Sequence, residues 1–122
     1  MMMRKLVSSV ALLVMTAPAF AAEPFEGSWA YDCSIPAGDL VPTVIKDGKI
    51  VYYESECDIG SVTPVGTAGQ AWKVTASCAG EGETWDRNMM LAVEVGNEGE
   101  PVQLIEVDLD AGYVVANRRC GD

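Results

Sequence analysis

The sequence predicts an all-β domain: a small antiparallel up-and-down barrel of seven or eight strands with two disulfides, a two-sheet sandwich being the alternative. Three observations point there. Short apolar runs alternate with polar residues at a period of two, turn-forming residues punctuate them at short intervals, and no segment after residue 21 carries the 3.6-residue apolar period of a helix. The barrel is preferred because pairing the first strand with the last removes the exposed edges that invite aggregation.

Residues 1–21 are read as a signal peptide and residues 22–122 as a single β domain. Met1 to Lys5 form a basic lead, an apolar run extends from Leu6 to Met15, and Ala19-Phe20-Ala21 supplies the small-x-small pattern cut by a signal peptidase. A run of ten residues is too short to cross about 30 Å of hydrocarbon at about 1.5 Å per residue, so no membrane anchor is expected after cleavage. The exported part then has six basic residues against eighteen acidic ones, a net charge of −12. Nucleic acid and anionic membranes both need a basic face and are not expected partners. The charge suits solubility or a basic protein partner.

The first strand is expected over residues 27–33, where Trp29, Tyr31 and Cys33 share one side. Residues 35–42 are a loop, because Pro36 and Pro42 lack the amide a ladder requires. Asp47-Gly48, between runs 43–46 and 49–53, is the clearest hairpin signal, since this pair takes the positive φ of a tight turn. The chain runs through Cys57 and residues 59–62 into a connection over 63–70. A cleanly alternating strand follows over 71–78, with Trp72, Val74, Ala76 and Cys78 on one face. Gly80 to Glu83 turn the chain into a long strand over 84–95, in which Trp85, Met89, Leu91, Val93 and Val95 share a side. Two further strands, 102–109 and 113–120, complete the set.

The four cysteines, Cys33, Cys57, Cys78 and Cys120, are spaced by 24, 21 and 42 residues, unlike the close pairs of zinc sites. In an exported chain of this size an even number implies disulfides. With the hairpin centre between Gly66 and Ala68, Cys57 faces Cys78, which leaves Cys33 on the first strand to join Cys120 on the last. The sequential pairing, Cys33 with Cys57 and Cys78 with Cys120, stays open.

The chain contains no histidine. Ser-His-Asp and Cys-His hydrolysis are therefore excluded, and paired cysteines remove thiol catalysis. Paired carboxylates could still serve glycoside hydrolysis, but Glu81 with Glu83 and Glu98 with Glu100 read as solvated turn charges. Asp108-Leu109-Asp110-Ala111-Gly112 lacks the further ligands of a calcium loop and reads as an Asp-rich turn. No metal, cofactor or catalytic residue is expected. Since neighbours on a strand point to opposite faces, either Arg118 or Arg119 must aim inward, with Glu54 as its first candidate partner. Trp29, Trp72 and Trp85 are expected to be core residues, a stacking platform being the rival reading.

The strings G-x-W near residue 27, E-x-E-C-x-I-x-x-V, W-x-V-x-x-x-C-x-G-E-G-E and a terminal R-C resemble small four-cysteine exported proteins of Gram-negative bacteria. The chain is also loosely similar to periplasmic β-barrel inhibitor-like proteins. The first resemblance implies a compartment and a fold, and brings no activity or site residue with it. The resulting expectation is a periplasmic or secreted binding or inhibitor-like module, not an enzyme. It would present residues 35–42 or 63–70 to a basic protein or an envelope component. The alternatives are a carboxylate hydrolase of envelope glycans, using residues such as Glu54 and Glu83, and a structural subunit of an envelope complex.

Overall fold

Eight strands follow one another around a closed barrel among the residues described by the computed structural model, 23–36, 38 and 40–121. They are β1 (Gly27–Ala30), β2 (Thr43–Lys46), β3 (Lys49–Tyr52), β4 (Ser55–Pro64), β5 (Ala71–Gly80), β6 (Glu83–Val95), β7 (Pro101–Asp108) and β8 (Val114–Gly121). Each pairs antiparallel with its sequence neighbours, and β8 pairs back onto β1, Trp29 opposite Arg119 and Ala30 opposite Arg118. The barrel, not the sandwich, is therefore the architecture. The expected signal peptide lies outside the described residues.

Period-two alternation decides which side chains fill the interior. On β5, Trp72, Val74, Ala76 and Cys78 are buried while Lys73, Thr75 and Ser77 face solvent. Register carries the same choice around the wall: Trp72 stands opposite Leu91, Val74 opposite Met89, and Val93 opposite Leu104. One end of the barrel is thereby packed solid. Trp29, Ile45, Ile50, Val74, Met89 and Leu91 are all at most 1% exposed, and each side chain of this size contributes roughly 1.5–3 kcal/mol on full burial. Phe25, from the lead before β1, closes that end. Its ring meets Trp72 edge-on at 5.0 Å, and its carbonyl accepts the Trp29 indole N–H at 2.9 Å.

The disulfides join Cys57 to Cys78 and Cys33 to Cys120, excluding the sequential pairing. Cys57 and Cys78 occupy one register position of the β4–β5 hairpin. Cys33–Cys120 crosses the β1–β8 seam that closes the barrel. Bonded cysteines in these positions are consistent with an oxidising, exported environment.

Two local expectations are corrected. The first strand ends at Ala30, so Tyr31 and Cys33 do not continue its inward row, and Tyr31 is 72% exposed. Asp32 ends it: its Oδ1 accepts the Ser34 amide at 2.9 Å and the Ser34 hydroxyl at 2.6 Å, a side-chain turn that competes with the ladder. In addition, β3 and β4 are separated by a two-residue turn at Tyr53-Glu54, with Tyr52 opposite Ser55 and Glu54 at φ 65°. Asp47-Gly48, with φ values of 53° and 75°, is the tight turn its sequence predicts.

Candidate functional site

The inward rows that build the packed end turn polar at the other end of the barrel. On β6 the row that contains Leu91 and Met89 continues through Arg87 to Trp85, which stands opposite Cys78 near the β5–β6 turn. On β7 the row of Leu104 continues to Glu106 and Asp108. On β3, Tyr52 follows Ile50. These strands meet around an open cup of about 330 Å³, whose wall includes Tyr52, Trp85, Arg87, Glu106, Tyr113 and Asn117. Cys57 belongs to the same wall, so the Cys57–Cys78 disulfide backs the cup beside Trp85.

A continuous chain of bonds organises the cup. The Tyr52 hydroxyl donates to Glu106 Oε1 at 2.6 Å and accepts from Arg87 Nη1 at 2.6 Å. Arg87 Nη2 donates to the Tyr113 hydroxyl at 3.3 Å and pairs with Asp108 Oδ2 at 3.5 Å. The guanidinium carbon also lies 5.3 Å from the centre of the Tyr52 ring. Glu106 is only 4% exposed, the one polar or charged residue in the buried class among those described.

These surroundings set the proton affinities. Burial pushes the Tyr52 hydroxyl well up; the adjacent Glu106 adds to that, and Arg87 opposes it. Burial works against the charge on Arg87, but Tyr52, Tyr113, Glu106 and Asp108 outweigh it and raise its pKa. Asp108 is held below the usual carboxylate range, first by the Ala111 amide and further by the Asp110 amide and Arg87, against the effect of burial. Its Oδ1 accepts the Ala111 and Asp110 amides at 2.7 and 3.0 Å, so the Asp-rich segment is a side-chain-capped turn.

Comparison with known proteins gives no guide to the ligand. No family model, no curated protein and no solved structure matches the chain. The site therefore rests on its own geometry.

The residues singled out from sequence fall in different places. Trp29 and Trp72 are core, whereas Trp85 is 39% exposed at the rim of the cup. Arg119 is the inward one of the two neighbouring arginines: its guanidinium lies 5.3 Å from the Trp29 ring centre and donates to the Glu26 carbonyl at 3.2 Å. Arg118 is exposed. Glu54 is not brought to Arg119; it sits in the exposed 53–54 turn at the cup end, and Glu83 is exposed at the start of β6. Of the expected connection over 63–70, Thr63 and Pro64 belong to β4, paired with Lys73 and Trp72, and residues 65–70 make the turn to β5 at the packed end, while residues 31–42 connect β1 to β2 at the cup end. Arg87, Glu106 and Tyr52 are site residues that the structure adds to those singled out from sequence. The signal for Arg87 was present, since it shares parity with Trp85 and Met89 on a strand whose inward face is otherwise apolar.

Chemically, the cup offers fixed donors and acceptors beside an aromatic face. Glu106 Oε2 has no hydrogen-bond partner among the described residues, while Asp108 is committed to its turn and to Arg87. A two-carboxylate hydrolysis needs one acid and one base or nucleophile across a substrate, and Glu106 with Asp108 lie on one strand, two residues apart.

Proposed function

We propose that this chain is an exported, disulfide-stabilised binding module of the periplasm, not an enzyme, and that its ligand is an envelope component held in the cup. The observation that carries this reading is the Arg87–Tyr52–Glu106 chain inside a barrel whose other end is filled by an apolar cluster, with Arg119 stacked on Trp29 at its edge. A buried network of this kind is weak support for stability, because well-packed apolar residues of similar volume often do as well or better. Departures from the local rule of an apolar interior collect at functional sites. The acidic exterior keeps the module soluble and favours encounter with basic surfaces in a salt-dependent way.

The test is thermal denaturation of the purified protein with fractions of a soluble envelope extract. A ligand that binds the folded state raises the midpoint in proportion to the logarithm of its concentration over Kd. The expected result is a fraction that stabilises the natural chain and loses its effect on Trp85→Leu and Arg87→Met. A fraction that stabilises all three equally places binding elsewhere and contradicts the proposal.

A further inference from the structure

We infer that the cup takes an uncharged, ring-shaped polyhydroxyl ligand, one or two neutral sugar rings, with the ring face on Trp85 and its hydroxyls between Arg87 and Glu106. This inference rests on the cup being the binding site.

The charges in the cup disfavour an ionic ligand. Arg87 is flanked by Glu106, through the Tyr52 hydroxyl, and by Asp108 directly. A carboxylate or phosphate approaching Arg87 meets Glu106, and an ammonium approaching Glu106 meets Arg87. Each would lose water and gain a like-charge neighbour. A hydroxyl both donates and accepts, so a pair on adjacent ring carbons matches both neighbours at once. One can donate to Glu106 Oε2, which has no hydrogen-bond partner among the described residues, and the other can accept from a guanidinium that has five N–H donors and three polar contacts among the described residues. Charge-assisted bonds of this type are the stronger ones.

The aromatic component is set at the right height. Trp85 and Arg87 are successive inward residues of β6, roughly 6.5–7 Å apart along the strand, about the span of one pyranose ring with its hydroxyls. Trp85 is exposed at the rim while its strand is held opposite Cys78. A sugar presents an apolar face of C–H groups to such a ring and leaves its hydroxyl edge for the polar wall. Tyr113, half exposed, and Asn117 extend the same mixture of ring and hydrogen-bonding groups along the wall. The volume of about 330 Å³ fits one or two rings and not a folded partner segment.

Three probes that share a pyranose ring and differ in charge test this: methyl glucoside, glucuronate and glucosamine. Each is titrated against the folded protein, reading the indole N–H resonance assigned to Trp85 by its loss in Trp85→Phe. Methyl glucoside should move that resonance with a dissociation constant in the millimolar range, as expected for a ligand of so few atoms, and should bind about tenfold tighter than either charged sugar. Glu106→Gln and Arg87→Met should each weaken methyl glucoside about tenfold. Trp85→Leu, a rim substitution read through the backbone amide resonances of Arg87 and Tyr113, should abolish the shifts that methyl glucoside causes there in the natural chain, even if the interior variants fail to fold. Preferred binding of glucuronate or glucosamine overturns the ligand class while leaving the cup as the site. No movement of the Trp85 signal with any probe also overturns the class; whether the cup is a site at all is then decided separately by the extract experiment.

Discussion

Tyr52 and Glu106, 54 positions apart in the chain, share a 2.6 Å hydrogen bond across the inside of the barrel, and Arg87 donates to the same tyrosine hydroxyl from a third strand. The hydroxyl thus joins one cation and one carboxylate that would otherwise lie buried with fewer partners.

Tyr52→Phe should destabilise the barrel by about 1–3 kcal/mol in urea denaturation, because it strips a partner from a buried carboxylate and from a guanidinium together. Replacing all three residues, Tyr52→Phe with Arg87→Met and Glu106→Leu, should recover most of that loss, as apolar substitutes often match a buried polar network. A triple variant less stable than the sum of the three single changes would mean that the network is retained for stability.

The pH dependence has a sign at each end. The Asp108 carboxyl is lowered, so its contribution is present above the unfolded value of about 4 and is lost as pH falls through the folded value. Asp108→Asn should therefore flatten the acid limb of a stability–pH curve. The Tyr52 hydroxyl is raised, so its contribution is complete below about 10 and is lost as pH rises beyond that. Tyr52→Phe should flatten the alkaline limb, which denaturation at several pH values on either side will show.

Gly80 marks a close approach at the cup rim. A side chain carbon there would lie 2.5 Å from the Glu54 carbonyl oxygen and 2.9 Å from the Ser55 side chain. Gly80→Ala must displace the 53–54 turn and should cost about 1–3 kcal/mol. At Gly82 nothing lies within 4 Å, and only its φ of 80° resists a side chain. Gly82→Ala should then move the Trp85 indole resonance less than Gly80→Ala does.

The two disulfides should separate in their effects. From loop entropy alone, losing Cys57–Cys78 costs roughly 3 kcal/mol and losing Cys33–Cys120 roughly 4.5 kcal/mol, with closed spans of 21 and 87 residues. The smaller loss lies beside the cup. Paired Cys→Ala variants should show the greater fall in stability without Cys33–Cys120, and the greater change in the Trp85 resonance without Cys57–Cys78.

Much of this fold was legible because strand alternation and tight turns are local. Cys57 could be placed opposite Cys78 once the hairpin centre was estimated, and that left Cys33 for Cys120. The 53–54 turn was not legible, since Glu54 takes a positive φ that is uncommon for its residue type and carries no turn signature. The end of the first strand is not legible either, because Trp29, Tyr31 and Cys33 alternate as a strand would, while the Asp32 turn that ends it is a side-chain effect. For the site, Arg87 and Glu106 could each be assigned inward from the parity of their own strands. Their meeting at Tyr52 depends on register across three strands, and no local pattern encodes it.

Ligand bound in the cup and ligand bound on the loop surface of residues 63–70 perturb opposite ends of the barrel. Chemical-shift mapping of the whole domain, with the stabilising envelope fraction or methyl glucoside at saturation, distinguishes them most directly. Changes should be confined to the cup, at Tyr52, Trp85, Arg87, Glu106 and Tyr113, with residues 63–70 at the packed end unmoved. Changes centred on residues 63–70, with the cup signals unaltered, would contradict binding in the cup.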